Sequence, residues 1–287
     1  MRAHCSQHAL IAACLGMLIT IAADARRESH TRDGVQVHIP LPDLTLHADL
    51  YPVPGDATAP AILLLHGWHW PDGQPAATMA PFARRFSTAG FHVLVPTLRG
   101  WPPSGGLDDC GGRQVDDMLL ALDWLRSRPG VDADRVYLVG HSQGGQIALL
   151  MTARQAPIRA AAAFAPVTHP ASWGRQTGVD GIRDYLLDEC GGRHGWQRRD
   201  VVAAAAAIRS PVLLVHGDSD TRVPASQSQR LHARLEALDR PAELRLIAGS
   251  GHAIDDILRP ELALAFFARH GHPSPAPIAN TPPALRN

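Results

Sequence analysis

Short apolar runs alternate with amphipathic windows along the chain from Val35 to Arg269. Runs that are apolar at nearly every position are typical of strands buried on both faces of a sheet, and the windows between them predict helices. Strands are predicted at Val35–Ile39, Thr45–Tyr51, Ala61–Leu65, Phe91–Val95, Arg135–Val139, Ile158–Phe164, Val212–Val215 and Glu243–Ile247. Helices are predicted at Ala77–Ala89, Val115–Arg126, Gln143–Arg154, Ala225–Leu238 and Ala253–Arg269. This alternation predicts an α/β fold, with a mostly parallel sheet, helices on both faces and an antiparallel edge made by the first two strands.

Three segments depart from the alternation. The stretch Ala9–Ala23 is uncharged, apolar and short for a membrane span, and Ala23-Asp24-Ala25 resembles a cleavage site. Residues 1–25 are therefore predicted to be a signal peptide of a periplasmic or secreted protein, with an uncleaved anchor as the alternative. Residues 167–200 lack clear periodicity and predict a small lid insertion within a domain spanning 26–272. The Pro-rich residues 273–287 predict a disordered tail.

Composition and net charge narrow the possible classes of function. Lys+Arg and Asp+Glu both number 27, so the chain has no net charge and no signature of a nucleic-acid-binding protein. Every basic residue is Arg, which excludes a catalytic Schiff-base lysine. Hydrophobic residues make up 45% of the chain, enough for a sizeable packed core.

The segment Gly140-His141-Ser142-Gln143-Gly144 has the pattern G-x-S-x-G. It lies between a predicted strand and a predicted helix, which is the setting of the nucleophile elbow in α/β-hydrolases. A serine at the tip of such a turn stands before a helix N-terminus, where the Gln143 N–H is expected to stabilise an oxyanion. The motif therefore predicts Ser142 as a nucleophile, and an N-cap serine in a glycine-rich turn is the alternative.

Candidate acids and a candidate base follow in the order that α/β-hydrolases use. Asp218 and Asp220 come after the predicted strand Val212–Val215, and His252 comes after the predicted strand Glu243–Ile247. Both positions are just beyond the carboxyl ends of strands, where open α/β sheets place their sites. We expect His252 to accept the Ser142 proton and one of the two aspartates to orient it.

Aromatic and histidine residues follow the first buried strand in the run His66-Gly67-Trp68-His69-Trp70. The Trp68 N–H is predicted to be the second oxyanion donor, because that donor comes from the loop after this strand. Trp70 is a candidate substrate-binding residue. His66 and His69 raise the alternative of a metal site, but a third ligand at fitting spacing is missing, so no metal or other cofactor is predicted.

These motifs together resemble α/β-hydrolases, close to dienelactone hydrolases and to the catalytic domain of the prolyl oligopeptidase family. The matching segments are HGW (66–68), LRG to SGG (98–106), Gln114–Asp117 with LDWL (122–125), DRVYLVGHSQGG (134–145), HGDSDTRVP (216–224) and GSGH (249–252). The resemblance implies an α/β-hydrolase fold and favours Asp220 over Asp218 as the acid. The oligopeptidases also carry an N-terminal propeller and an oxyanion tyrosine. Here about 35 residues of the expected mature chain precede the first buried strand, Ala61–Leu65, so no propeller is expected, and Trp68 and His69 lie in the neighbourhood of that tyrosine.

These differences favour ester substrates. The sequence therefore predicts a serine hydrolase that cleaves carboxylic esters through an acyl-enzyme. One alternative is a small peptidase or aminopeptidase that resembles the prolyl oligopeptidases, and another is a catalytically silent hydrolase-fold binding protein. The expected partner is a small ester or a short peptide, without nucleic acid and without a stable membrane span after signal cleavage.

Cys110 and Cys190 are the cysteines that remain after the predicted signal peptide is removed. Each precedes a Gly-Gly-Arg sequence, in a segment that follows a strand and leaves the same edge of the sheet. In an oxidising compartment this pair predicts a disulfide between the lid and the loop before the helix Val115–Arg126. Two free thiols are the alternative.

Overall fold

The computed structural model describes residues 34–271 apart from 56, 69–74, 182–183, 185–187, 189 and 257. The strands are β1 Val35–Pro40, β2 Thr45–Tyr51, β3 Ala59–Leu65, β4 His92–Pro96, β5 Val131–His141, β6 Ala161–Phe164, β7 Val212–Gly217 and β8 Ala242–Ile247. The helices are α1 Pro75–Thr78, α2 Ala80–Thr88, α3 Arg113–Arg126, α4 Gln143–Ala153, α5 Pro170–Gln176, α6 Gly192–Arg198, α7 Val201–Ala204, α8 Ser226–Glu236 and α9 Leu258–His270, with a 3₁₀ turn at Ala205–Ala207. The predicted signal peptide and C-terminal tail lie outside the described residues.

The strands form one sheet in the order β1-β2-β4-β3-β5-β6-β7-β8. β2 runs antiparallel to both β1 and β4, and every pairing from β4 to β8 is parallel. The sheet therefore has the predicted antiparallel edge and the predicted parallel centre. This arrangement confirms the α/β-hydrolase fold class.

Two hydrophobic cores lie on opposite faces of the sheet. Leu63 and Leu65 of β3 pack into the core that α3, α4 and α8 cover, whereas Ile62 and Leu64 pack into the core that α2 and α9 cover. Neighbouring side chains on a strand point to opposite faces, so a strand covered on both sides has to be apolar throughout. This is why β3 reads as a continuous apolar run.

Some predicted element boundaries are wrong. The predicted helix Ala77–Ala89 is divided at Met79, and Pro81 lies in the first turn of the second piece, where its missing N–H costs nothing. The last helix begins at Leu258 rather than at Ala253, because the Asp255 carboxylate accepts the Leu258 N–H at 3.0 Å and caps the helix there. The strand predicted from Ile158 begins only at Ala161.

The segment 167–200, which lacks periodicity in the sequence, contains the short helices α5 and α6. Both are seven residues long, and two turns are too few to establish a helical repeat. Within the described part of the chain, no helix is both long enough and apolar enough to cross a membrane.

Candidate active site

Ser142 stands at the tip of a sharp turn between β5 and α4, with φ +55° and ψ −117°. A positive φ is unfavourable for a residue with a side chain, so the surrounding structure has to hold this strained turn in place. The motif glycines allow the chain to do so. A Cβ on Gly140 would lie 2.2 Å from the Gly144 carbonyl oxygen, and one on Gly144 would lie 2.4 Å from the Leu65 carbonyl oxygen. Side chains at either glycine would therefore disrupt the turn.

The structure brings Ser142, His252 and Asp220 into one hydrogen-bonded line. His252 Nε2 lies 3.0 Å from Ser142 Oγ, and His252 Nδ1 lies 2.7 Å from Asp220 Oδ2. With the Nδ1 proton directed to the carboxylate, the Nε2 lone pair faces the serine hydroxyl. This is the arrangement that lets a histidine take the serine proton as it attacks a carbonyl carbon.

Asp220 is held in an environment that keeps it ionised. Its Oδ1 accepts hydrogen bonds from the backbone N–H groups of Arg222 and Val223, both at 2.9 Å. Burial raises the pKa of Asp220, but hydrogen bonds from His216 and His252 outweigh burial and lower the pKa well below its usual range. The carboxylate therefore remains charged throughout the pH range in which a histidine can act as a base.

The rival acid, Asp218, has a different position. Its exposed carboxylate accepts hydrogen bonds from the Gly249 N–H at 2.8 Å and from the Ser219 hydroxyl at 2.9 Å. It thus connects the loop after β7 to the loop after β8. The structure places Asp220, rather than Asp218, against the His252 ring.

The two predicted oxyanion donors belong to two different segments that are close to Ser142. Gln143 begins α4, while Trp68 follows the carboxyl end of β3, and both line the same cavity as the serine. A Cβ on Gly67 would lie 3.1 Å from the Ser142 Cβ, which shows how closely this loop approaches Ser142. Both segments are therefore close to Ser142, and their backbone N–H groups remain the predicted oxyanion donors.

His66 is committed to the backbone. Its Nδ1 donates to the Gly67 carbonyl oxygen at 2.7 Å, and its Nε2 accepts the Leu98 N–H at 2.9 Å. Both ring nitrogens are thus used to fix the loop after β3, which disfavours the alternative metal site. His69, the second histidine of that alternative, and Trp70, the predicted substrate-binding residue, lie outside the described residues.

A cavity of about 520 Å³ opens onto Ser142. Its walls are largely apolar, and residues from the segment 167–200 supply much of them. Lining residues include Trp68, Val167, Pro170, Trp173, Val179 and Trp196, together with the charged residues Asp180, Arg199 and Arg222. This volume suits a small organic molecule or a few residues of a peptide.

The comparison with known proteins supports one of the two families that the sequence resembles. Residues 83–271 match the family model of the prolyl oligopeptidase family, Peptidase_S9. The chain belongs to this family. It is 28% identical to the uncharacterized peptidase YtmA of Bacillus subtilis over 171 residues, which cover 55% of this chain and 63% of that protein. It is 26% identical to the acylamino-acid-releasing enzyme of Rattus norvegicus over 224 residues, or 71% of this chain and 30% of the relative.

Solved structures agree in fold. A puromycin-hydrolyzing peptidase of Mycobacterium tuberculosis superposes with a TM-score of 0.74 at 22% identity, covering 83% of this chain and 39% of that one. The acylaminoacyl peptidase of Pyrococcus horikoshii gives a TM-score of 0.69 at 18% identity, covering 82% and 41%. The chain thus spans about a third to two thirds of the length of these similar proteins.

The disulfide in this family member has the predicted pairing. Cys110 and Cys190 are bonded, with their Cα atoms 5.3 Å apart. Both cysteines line the cavity, and the bond packs against Trp173, Val179 and Trp196. The disulfide therefore joins the loop before α3 to the segment 167–200 at the wall of the site.

Sequence reasoning missed the contribution of His216 to the acid. This fully buried ring places Nε2 3.3 Å from Asp220 Oδ2 and 2.7 Å from the Val223 carbonyl oxygen. Its Nδ1 lies 2.7 Å from the Ser228 hydroxyl. His216 begins the segment HGDSDTRVP (216–224) that resembles the family, but the resemblance implied no separate role for it. The His216 ring therefore contacts the same carboxylate oxygen of Asp220, Oδ2, that the His252 ring contacts.

His141, the variable residue before the nucleophile, was also missed. Its Nε2 lies 3.0 Å from the His252 carbonyl oxygen, and the two ring centroids are 4.9 Å apart. Loss of hydration lowers the pKa of His141 to about 3, and the charges of His252 and Arg259 act in the same direction. His141 is therefore a neutral ring whose N–H holds the backbone of His252.

Proposed function

We propose that this protein is a serine peptidase that cleaves amide bonds in short substrates through an acyl-enzyme on Ser142. The observation that carries the proposal is the hydrogen-bonded line Ser142–His252–Asp220 beside a cavity, in a chain of the prolyl oligopeptidase family. The similar proteins support an amide substrate, because YtmA and both solved structures are named as peptidases. Amide substrates are therefore better supported than the esters expected from the sequence.

The proposed reaction has two halves. Ser142 Oγ attacks the substrate carbonyl carbon while His252 Nε2 takes the hydroxyl proton, and the Gln143 and Trp68 N–H groups stabilise the oxyanion. Collapse of this intermediate breaks the C–N bond, and His252 returns its proton to the leaving amine. Water then attacks the acyl-enzyme while His252 takes its proton, and collapse of the second intermediate releases the carboxylic acid product as His252 returns the proton to Ser142 Oγ. Asp220 remains ionised and orients the imidazole throughout.

The cavity supports an apolar group on the substrate. Its tryptophans offer large apolar faces beside Ser142, and burying such a group on them contributes roughly 25 cal/mol per Å² of apolar surface. Substrates with a large apolar or aromatic side chain near the scissile bond are therefore expected to react faster than those with glycine or a charged side chain.

An exported location is part of the proposal. The N-terminal segment predicts export, and the Cys110–Cys190 bond is of a kind that persists in oxidising compartments.

A substrate panel tests the proposal. Aminoacyl p-nitroanilides with apolar side chains should be hydrolysed, and Ser142→Ala should reduce turnover by several orders of magnitude. A matched pair of variants tests the acid: Asp220→Asn should be severe, while Asp218→Asn should leave most of the activity. Hydrolysis of p-nitrophenyl esters without anilide or peptide turnover would contradict the peptidase assignment and restore the ester prediction.

A further inference from the structure

Three hydrogen bonds join the segment 167–200 to the loop that carries the acid. The Trp173 indole N–H and the Thr177 hydroxyl both donate to the Arg222 carbonyl oxygen, each at 2.8 Å. The Gly178 backbone N–H donates to the Thr221 carbonyl oxygen, also at 2.8 Å. The wall of the cavity is therefore attached directly to the turn that follows Asp220.

The peptide that receives two of these bonds also holds the catalytic carboxylate. The Arg222 carbonyl and the Val223 N–H belong to one peptide plane, and that N–H donates to Asp220 Oδ1 at 2.9 Å. Bonds on the two ends of a peptide group polarise each other, and they fix the orientation of its plane. A displacement of the Trp173 indole would thus rotate the group that positions the carboxylate.

Trp173 is also exposed to the substrate. Its partly buried side chain lines the cavity together with Ser142 and packs against the Cys110–Cys190 disulfide. A large apolar group bound in the cavity would lie against this indole. One side chain therefore contacts the substrate space with its ring and the acid loop with its N–H.

We propose that Trp173 is a positioning residue that transmits occupancy of the cavity to Asp220 through the peptide between Arg222 and Val223. The inference rests on the proposed function. An apolar group packed on the indole holds the N–H on the Arg222 carbonyl, which keeps the carboxylate aligned with His252. Substrates that fill the cavity therefore have a higher kcat as well as a lower KM.

A Trp173 variant that lacks the indole N–H distinguishes the positioning role from a role as an apolar wall of the cavity. Trp173→Phe keeps an aromatic ring but removes the indole donor. Thr177→Val removes the other side-chain donor to the Arg222 carbonyl oxygen, at a residue that does not line the cavity, together with the acceptor of the Val179 N–H. Loss of one such bond is expected to lower kcat about 5- to 10-fold, with KM changed less than about 3-fold. Thr177→Ser retains the hydroxyl and should keep the wild-type kcat. Trp196→Phe alters the same cavity wall and should change KM with little effect on kcat.

The pH profile supplies a readout that a purely structural role would not move. His252 faces Asp220 and the neutral ring of His141, with Arg259 nearby, and Asp220 also faces His216. A less well aligned carboxylate stabilises the protonated His252 ring less. The acidic limb of kcat/KM should therefore move to lower pH in Trp173→Phe and Thr177→Val, and it should stay in place in Thr177→Ser and Trp196→Phe.

Steady-state kinetics of these four variants on one apolar anilide test the positioning role of Trp173. Fluorophosphonate labelling counts the folded active sites in each preparation. Wild-type kcat and an unmoved acidic limb in Thr177→Val would overturn the inference, whether or not Trp173→Phe folds. A loss confined to KM in Trp173→Phe would also overturn it. Full activity in Ser142→Ala would instead refute the proposed function itself, so the two failures are distinguishable.

Discussion

Removal of the Cys110–Cys190 bond is expected to destabilise the whole domain rather than the cavity wall alone. The cysteines are 80 residues apart, and the chain between them contains α3, β5, α4 and β6, which include central parts of the sheet and of one core. Because these elements separate only when the domain unfolds, the bond restricts the globally unfolded chain.

The size of the effect follows from the length of the closed loop. Chain-entropy estimates give about 4.5 kcal/mol for a loop of this length at 25 °C, and real bonds often contribute less. For a domain of this size, 1 kcal/mol moves Tm by about 2–4 °C, so the upper expectation is a loss of about 9–18 °C. Cys190 is fully buried, so its replacement by alanine adds a smaller packing loss.

Thermal unfolding followed by circular dichroism measures this loss. The double variant Cys110→Ala/Cys190→Ala and the reduced wild type should both melt well below the oxidised wild type, and reductant should not affect the double variant. A Tm within about 2 °C of the wild type in both forms would refute the reasoning, because it would show that the bond does not restrict the unfolded chain.

Two further predictions concern the nucleophile turn. Gly144→Ala should abolish nearly all fluorophosphonate labelling, because its Cβ would lie 2.4 Å from the carbonyl oxygens of Leu65 and His66. Gly251→Ala should label normally, because its Cβ would meet no atom within 4 Å apart from its neighbours in the chain. Equal labelling of the two variants would contradict the steric argument. The pKa of His141 is about 3 in the folded chain and about 6.5 when unfolded, so the unfolded state gains a proton first and stability falls as pH drops from about 6.5 towards 3. Denaturant unfolding at pH 7 and pH 5 should show a loss of about 1–2 kcal/mol from this group that is absent in His141→Gln, and equal losses in both proteins would exclude His141 as the cause.

The sequence could predict the sheet and the place of the site because both depend on local patterns. A strand covered on both faces is apolar at successive positions, as β3 and β7 are, and G-x-S-x-G between a strand and a helix marks the nucleophile turn. Asp220 and His252 could be predicted from the chain order of α/β-hydrolases and the resemblance to that family, and their places after β7 and β8 agree with the rule that parallel strands present their carboxyl ends at one edge.

The remaining features depend on contacts between distant parts of the chain. His141 bonds to the backbone of a residue 111 positions later, and the Trp173 indole bonds to a carbonyl 49 positions later. Contacts between residues so far apart in the sequence cannot be predicted from local periodicity. The start of α9 was missed for a different reason, because one side-chain bond from Asp255 fixes it and the apolar periodicity begins earlier.

The choice between ester and amide substrates stays a prediction, because the two reactions share their chemistry. A Ser-His-Asp line forms an acyl-enzyme from esters and amides alike, so the motif could not choose between them. The family match and the names of the relatives supplied the preference for peptides that spacing and composition could not.

The most direct test of the account is intact-protein mass spectrometry after reaction with a fluorophosphonate. We predict a single adduct per chain, mapped by peptide sequencing to Ser142, with parallel loss of anilide hydrolysis and with neither labelling nor hydrolysis in Ser142→Ala. An adduct on another residue, or a Ser142→Ala variant that still hydrolyses the substrate, would contradict the account.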